Sequence, residues 1–146
     1  MLANRCIRLA GLYLMVGMTL GIVMGATHDF SLRAVHAHIN LLGWVGLAIA
    51  AGVFKLWPSA EQSRLAHAYF WLYNLALPTM LLALALYLRG HAAVLPVLVG
   101  GEIGVYAAMS MFVLNVFLVR SANTRQSERP NPTRAAGARR VLAGEA

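Results

Sequence analysis

The stretch from Arg33 to Trp44, R-A-V-H-A-H-I-N-L-L-G-W, opens an otherwise apolar run with His36, His38 and Asn40. Neutral imidazole ligates iron, copper and zinc, so His36 and His38 are the candidate cofactor and metal residues. A helix turns about 100° per residue, which puts His36 and Asn40 on one face and points His36 and His38 roughly 160° apart if both are helical. One ring can then face a packed interior while the other turns away, or else the helix begins at His38. The reading without chemistry is two amphipathic histidines resting in the headgroup region of a membrane.

What these residues can do depends on the elements that carry them. The chain has 146 residues, 60% of them hydrophobic and only 12% charged, against about 45–50% and 25% in an ordinary soluble domain. The pattern predicts an all-α integral membrane four-helix bundle at 1–120, with spans at about 9–28, 36–56, 65–88 and 93–119, and a disordered basic tail at 121–146. The first run, Leu9 to His28, holds no Asp, Glu, Lys or Arg and has the length a bilayer requires. Its apolar core exceeds that of a signal peptide and no clean small-x-small cleavage site follows, so it reads as a retained helix. Gly17, Gly21 and Gly25 repeat there at every fourth residue, a spacing that lets another backbone approach closely, and Gly100 and Gly104 offer the same in the fourth span. The second span ends at Lys55, Trp57 and Pro58, an interfacial anchor and a helix breaker. His67, Asn74 and Pro78 lie in the third. After Arg120 the sequence is too polar and too poor in large apolar residues to bury a core.

The fourth span is interrupted only by Glu102, about ten residues in and hence near mid-bilayer at 1.5 Å per residue. An ionisable group there is expected to face the bundle, where Asn74 sits at similar depth and Tyr106 lies one turn away. Glu102, Asn74 and Tyr106 form either a structural polar pair or a proton path.

The net charge of +7 resides at the ends of the apolar runs and in the tail, the ordinary flanks of membrane helices, and implies no nucleic-acid partner. The single Cys6 excludes an intramolecular disulfide and a cysteine-only metal cage. Four antiparallel spans put ten Lys and Arg on the side of the termini and the Lys55–Arg64 loop, and only Arg33 and Arg89 on the other. That bias predicts cytoplasmic N- and C-termini. His28, His36, His38 and His91 then gather with Asp29 at the outer end, and His67 lies alone at the inner end. Bundles build cofactor and metal sites from side chains on facing helices. A b-type heme needs one or two axial ligands and an apolar slot, whereas the absence of C-x-x-C-H excludes a c-type heme. Gly43, Gly46, Ala48, Ala50, Ala51 and Gly52 either leave room for a flat macrocycle or pack against the first helix. The residues by themselves leave heme, copper and no cofactor open.

The run Arg33 to Phe54, R-A-V-H-A-H-I-N-L-L-G-W-V-G-L-A-I-A-A-G-V-F, resembles the second helix of the catalytic subunit of heme-copper oxidases and their nitric oxide reductase relatives. In that family an R-x-x-H pattern supplies an axial ligand of the low-spin heme, and here it falls on Arg33 and His36. F-W-L-Y-N-L, Phe70 to Leu75, is similar to the following helix of that subunit. His28-Asp29 together with V-H-A-H-I-N-L-L-G-W-V further resembles short four-helix bacterial proteins described as oxidase subunit I-like, over about residues 7–119. The resemblance implies a bacterial inner-membrane protein carrying heme b on His36, with a role in respiratory electron transfer or redox sensing. The partner ligand would come from His38, His28, His91 or a second copy, which implies a homo-oligomer or a larger respiratory complex. The family takes its remaining heme and copper ligands from later helices that this sequence lacks, so dioxygen reduction by the chain alone is not expected. A copper-handling protein using His36 and His38, or an accessory structural membrane subunit without heme, are the alternatives.

Overall fold

Long runs of Leu, Ala, Met and Val, unbroken by acidic residues and almost free of proline, favour helix at every level from propensity to backbone satisfaction in lipid. The computed structural model describes residues 1–127, with side chains through Val119, and these residues are all-α with no strand. The elements are α1 (Leu2–Thr27), α2 (Arg33–His38), a π-helix (Ile39–Gly46), α3 (Leu47–Leu56), α4 (Pro58–Glu61), α5 (Arg64–Leu88), a 3₁₀ turn (Ala92–Val94) and α6 (Leu95–Ser127). Among the described residues, four helical stretches are long and apolar enough to cross a membrane: Leu2–Thr27, Arg33–Leu56, Arg64–Leu88 and Ala92–Val119. They are called the first to fourth spans below. Their outward faces carry large apolar side chains such as Ile22, Leu75, Leu82 and Ile103, the reverse of a water-facing surface.

Two helix limits differ from the uncharged runs. The first helix begins at Leu2, ahead of Arg5 and Arg8, because arginine ends an apolar run without ending a helix. The last helix continues through 121–127, residues that the sequence pattern assigned to the tail; residues 128–146 of that tail lie outside the described residues. Met1–Asn115 forms one compact unit, and the helix from Val116 onward belongs to a second.

Within the first unit, contacts mark which loops share an end. The Ala3 amide donates to Glu61 Oε1 at 3.2 Å and the Met1 amino group pairs with the same oxygen at 2.8 Å. A carboxylate at a helix N-terminus satisfies an otherwise orphaned N–H and complements the helix dipole. The amino-terminal bond, with the Ala3 amide among the further causes, holds the Glu61 carboxyl below its usual range. At the opposite end Asp29 and Arg89, from the first and third loops, attract each other.

Packing follows small residues and rings. A Cβ on Gly101 would meet Met80 Cβ at 2.8 Å, and one on Gly104 would meet Ala76 Cβ at 2.8 Å, so these glycines seat the fourth span on the third. Phe54, Tyr69 and Phe112 bring the second, third and fourth spans together, with ring centroids 5.1 to 6.2 Å apart in the edge-on and tilted arrangements that aromatic quadrupoles favour. Asn115, only 1% exposed, accepts from Ser63 Oγ at 2.7 Å and donates to the Ala60 carbonyl at 3.0 Å. Ser63 Oγ also caps α5 by accepting from the Ala66 amide at 2.9 Å. One buried amide thus ties the fourth span to the second loop.

Candidate functional site

His36 lies in α2, which begins at Arg33 and not at His38. Its half-buried ring rests on the first span, with Nδ1 2.9 Å from the Gly17 carbonyl oxygen. A carbonyl only accepts, so Nδ1 carries the proton and donates, and Nε2 keeps its lone pair. A backbone acceptor holding the far nitrogen is the arrangement that fixes tautomer and ring plane in metal-ligating histidines.

The glycine stripe explains how the ring fits. A Cβ on Gly21 would lie 2.9 Å from His36 Cε1, and one on Gly17 would lie 2.5 Å from the Asn40 amide nitrogen. Gly17 and Gly21 therefore admit the two polar side chains that share one face of the second span, as the one-turn spacing of His36 and Asn40 predicts. Asn40 Nδ2 donates to the His36 carbonyl at 2.9 Å. Gly25, next on the stripe, has open space where a side chain would stand.

The other candidate histidines are not gathered around His36. His38 is exposed, and its Nδ1 bonds the Ala34 carbonyl of its own helix at 2.7 Å. His28 is exposed at the C-terminal end of α1 with φ 54°, and His91 is exposed ahead of the 3₁₀ turn. Among the described residues no three His, Cys, Asp or Glu side chains form a group able to hold a metal ion. Asp29, beside His28, accepts from the Ser31 amide at 2.9 Å, and that bond holds its carboxyl below the usual range.

For heme b, His36 is the residue that would hold the group: its ring is half buried, and with Nδ1 donating to the Gly17 carbonyl the nitrogen left to bind is Nε2. His28, His38 and His91 are exposed, and none of them is hydrogen-bonded to His36.

A local signal that composition does not reveal sits directly after the histidines. Ile39–Gly46 is wound as a π-helix, a rare form that concentrates at functional positions. Two tyrosines brace it. Tyr73 Oη donates to the Leu42 carbonyl at 3.0 Å, and Tyr13 fills the space above Gly43, where a Cβ would come within 2.5 Å of its ring. Tyr69, packed against Tyr73 at 5.3 Å between ring centroids, has a buried hydroxyl with no partner among the described residues. None of these tyrosines stands out by sequence spacing.

The expected polar group in the fourth span is not assembled. Glu102 is exposed, contrary to an inward orientation, and Tyr106 on the same side is 76% exposed. Asn74 instead turns its amide to the Phe70 carbonyl of its own helix at 2.7 Å. The reason is azimuthal: Gly101, Val105, Ala108 and Phe112 form the buried face of this helix, and Glu102 falls outside it. His67, near the second loop, is exposed, and its Nδ1 bonds the Ser63 carbonyl at 3.0 Å.

Comparison with protein-family models, with curated proteins and with solved structures returned no match to the chain.

Proposed function

We propose that the chain is a b-type heme protein of a bacterial inner membrane, with both termini cytoplasmic, serving electron transfer or redox sensing with His36 as the axial ligand. The observation that carries this reading is the His36 Nδ1 to Gly17 carbonyl bond of 2.9 Å, which leaves Nε2 as a lone-pair donor held by a neighbouring helix. A bound heme would supply one-electron chemistry. The chain's residues would then do three things: His36 binds through Nε2, Gly17 orients it through the carbonyl, and Gly21 leaves room for the ring. A second histidine to hold the heme would come from His38, His28, His91 or another chain, and the chain by itself is not assigned oxygen reduction.

The test is a reduced-minus-oxidised visible spectrum of the purified membrane protein, with metal content measured on the same sample. A heme spectrum lost in His36→Ala and kept in His38→Ala is the expected result. If the spectrum is kept in His36→Ala and lost in His38→Ala, the ligand assignment is wrong. Stoichiometric copper without heme would favour the copper-handling alternative.

A second reading has its own observation. His36 and Asn40 fill the space above Gly21 and Gly17, and polar side chains between helices serve as packing elements in membranes. On that reading the chain is an accessory structural subunit, no chromophore is found, and His36→Ala lowers stability alone.

A further inference from the structure

The fourth span presents an outward stripe with an ionisable group at its middle. Leu95, Val99, Glu102, Tyr106 and Val113 are all exposed, and their spacing of four, three, four and seven residues is that of a helix seam which a second helix can cover. Among the described residues neither the Glu102 carboxyl nor the Tyr106 hydroxyl has a hydrogen-bond partner. Glu102 is about ten residues into the 28-residue stretch Ala92–Val119, so at 1.5 Å per residue it lies about 15 Å from the Ala92 end and about 25 Å from the Val119 end, well inside the hydrocarbon layer. Water is not at hand there, and a carboxyl group facing lipid has nothing to bond.

We propose that this stripe is a homodimer interface in which Glu102 of one chain meets Glu102 of a second copy across a two-fold axis along the membrane normal. Identical chains inserted the same way place identical residues at equal depth, and a two-fold interface is self-complementary. A protonated carboxyl is both donor and acceptor, so two of them satisfy each other with a reciprocal pair of hydrogen bonds and no further group. Tyr106, one turn on, projects its ring back toward the level of Glu102. Its hydroxyl adds a donor at the same depth. Any other partner would have to bring a polar group to this one depth, whereas a second copy carries one by construction. Gly17, Gly21 and Gly104 are filled from within the chain while Gly25 and Gly100 stand open, so neither glycine stripe offers a free pair one turn apart to compete for this role. The inference stands apart from the heme reading and needs no cofactor.

The full chain is to be measured in a mild detergent and in lipid bilayers by light scattering and by single-cysteine cross-linking, with the buried Cys6 left in place. The expected particle holds two 15.8 kDa chains. Glu102→Gln keeps it, since paired amides also donate and accept, while Glu102→Leu weakens association roughly tenfold. Val99→Cys and Val113→Cys cross-link to themselves under mild oxidation, and Ile22→Cys on the first span does not. The proposal is overturned by a single-chain mass for the unaltered protein, by dimers insensitive to Glu102→Leu, by cross-links at Ile22→Cys in place of the stripe, or by a different polypeptide co-purifying on it.

Discussion

At His36 two glycines one turn apart on the neighbouring helix do different work: Gly17 supplies a carbonyl to the ring and Gly21 supplies the absence of a side chain. That division yields a graded prediction. Gly21→Ala places a methyl group 2.9 Å from His36 Cε1, closer than real Cβ contacts come, so the ring must tilt from the Gly17 carbonyl. On the heme reading, retention should fall by about ten- to a hundredfold, the usual cost of losing the group that orients a ligand. Titration of heme into the purified protein measures it. Gly25→Ala, with nothing within 4 Å of the new methyl, should leave both heme affinity and melting temperature unchanged. If the two substitutions behave alike, the ring is not held by this contact. The tyrosines give a second contrast. Tyr73→Phe removes the bond to the Leu42 carbonyl and should cost about 1 kcal/mol. Tyr69→Phe removes a buried hydroxyl that has no partner among the described residues, and should be neutral or slightly stabilising in the same thermal unfolding measured in detergent.

Helices are where the chain was most legible. Four spans follow from runs of uncharged residues at bilayer length, and the shared face of His36 and Asn40 follows from 100° per residue. The limits were less so, because Arg5 and Arg8 end an apolar run while remaining helical. The π-helix does not show in the sequence, since Ile39–Gly46 reads as any apolar helix and the tyrosines that contact it, Tyr13 and Tyr73, come from other elements. The outward orientation of Glu102 is hidden from the sequence for a related reason. Counting residues gives depth, but which side of a helix is buried depends on where Gly101 and Gly104 find Met80 and Ala76. Asn115 does not stand out in the sequence, because a lone asparagine near a span end carries no pattern. Its two bonds predict that Asn115→Leu, which leaves the Ala60 carbonyl and Ser63 hydroxyl short of a partner, destabilises the protein by about 1–3 kcal/mol. Glu61 gives a pH dependence at the start of α1. Its carboxyl is held below the usual range chiefly by the bond to the amino terminus, so it stays ionised in the folded state to lower pH than in the unfolded state. The stability it contributes is present above the ordinary carboxylate range and is lost as pH falls through the lowered value. Melting temperatures followed between about pH 5 and pH 3 should fall more steeply in the unaltered protein than in Glu61→Gln.

At the scale of the whole molecule, the two ends of the spans differ in charge and in the contacts that mark them. Glu61 joins the second loop to the start of the first helix, while Asp29 and Arg89 lie near each other at the other end. Arg5, Arg8, Lys55 and Arg64 belong to the former, and among the residues described through Val119 the latter has Arg33 and Arg89 as its basic residues apart from the histidines. On the reading proposed above, positive charge retained on the cytoplasmic side during insertion puts the Glu61 end in the cytoplasm and the end with His28, His38 and His91 outside. The heme reading depends on this orientation, because it decides which compartment exchanges electrons or ligands with His36 through the nearby loops. Cys6 is fully buried and contributes little background to thiol labelling, which allows single cysteines to be placed in the loops. In intact cells a membrane-impermeant maleimide should label Ser31→Cys, an exposed position beside Asp29, and should label Ser59→Cys, exposed in the second loop, only after the membrane is permeabilised. The reverse pattern would put His36 near the cytoplasmic surface and would require a cytoplasmic redox partner. Equal labelling of both in intact cells would mean that the two loops do not lie on opposite sides of the membrane, and the four-span reading would fail with it.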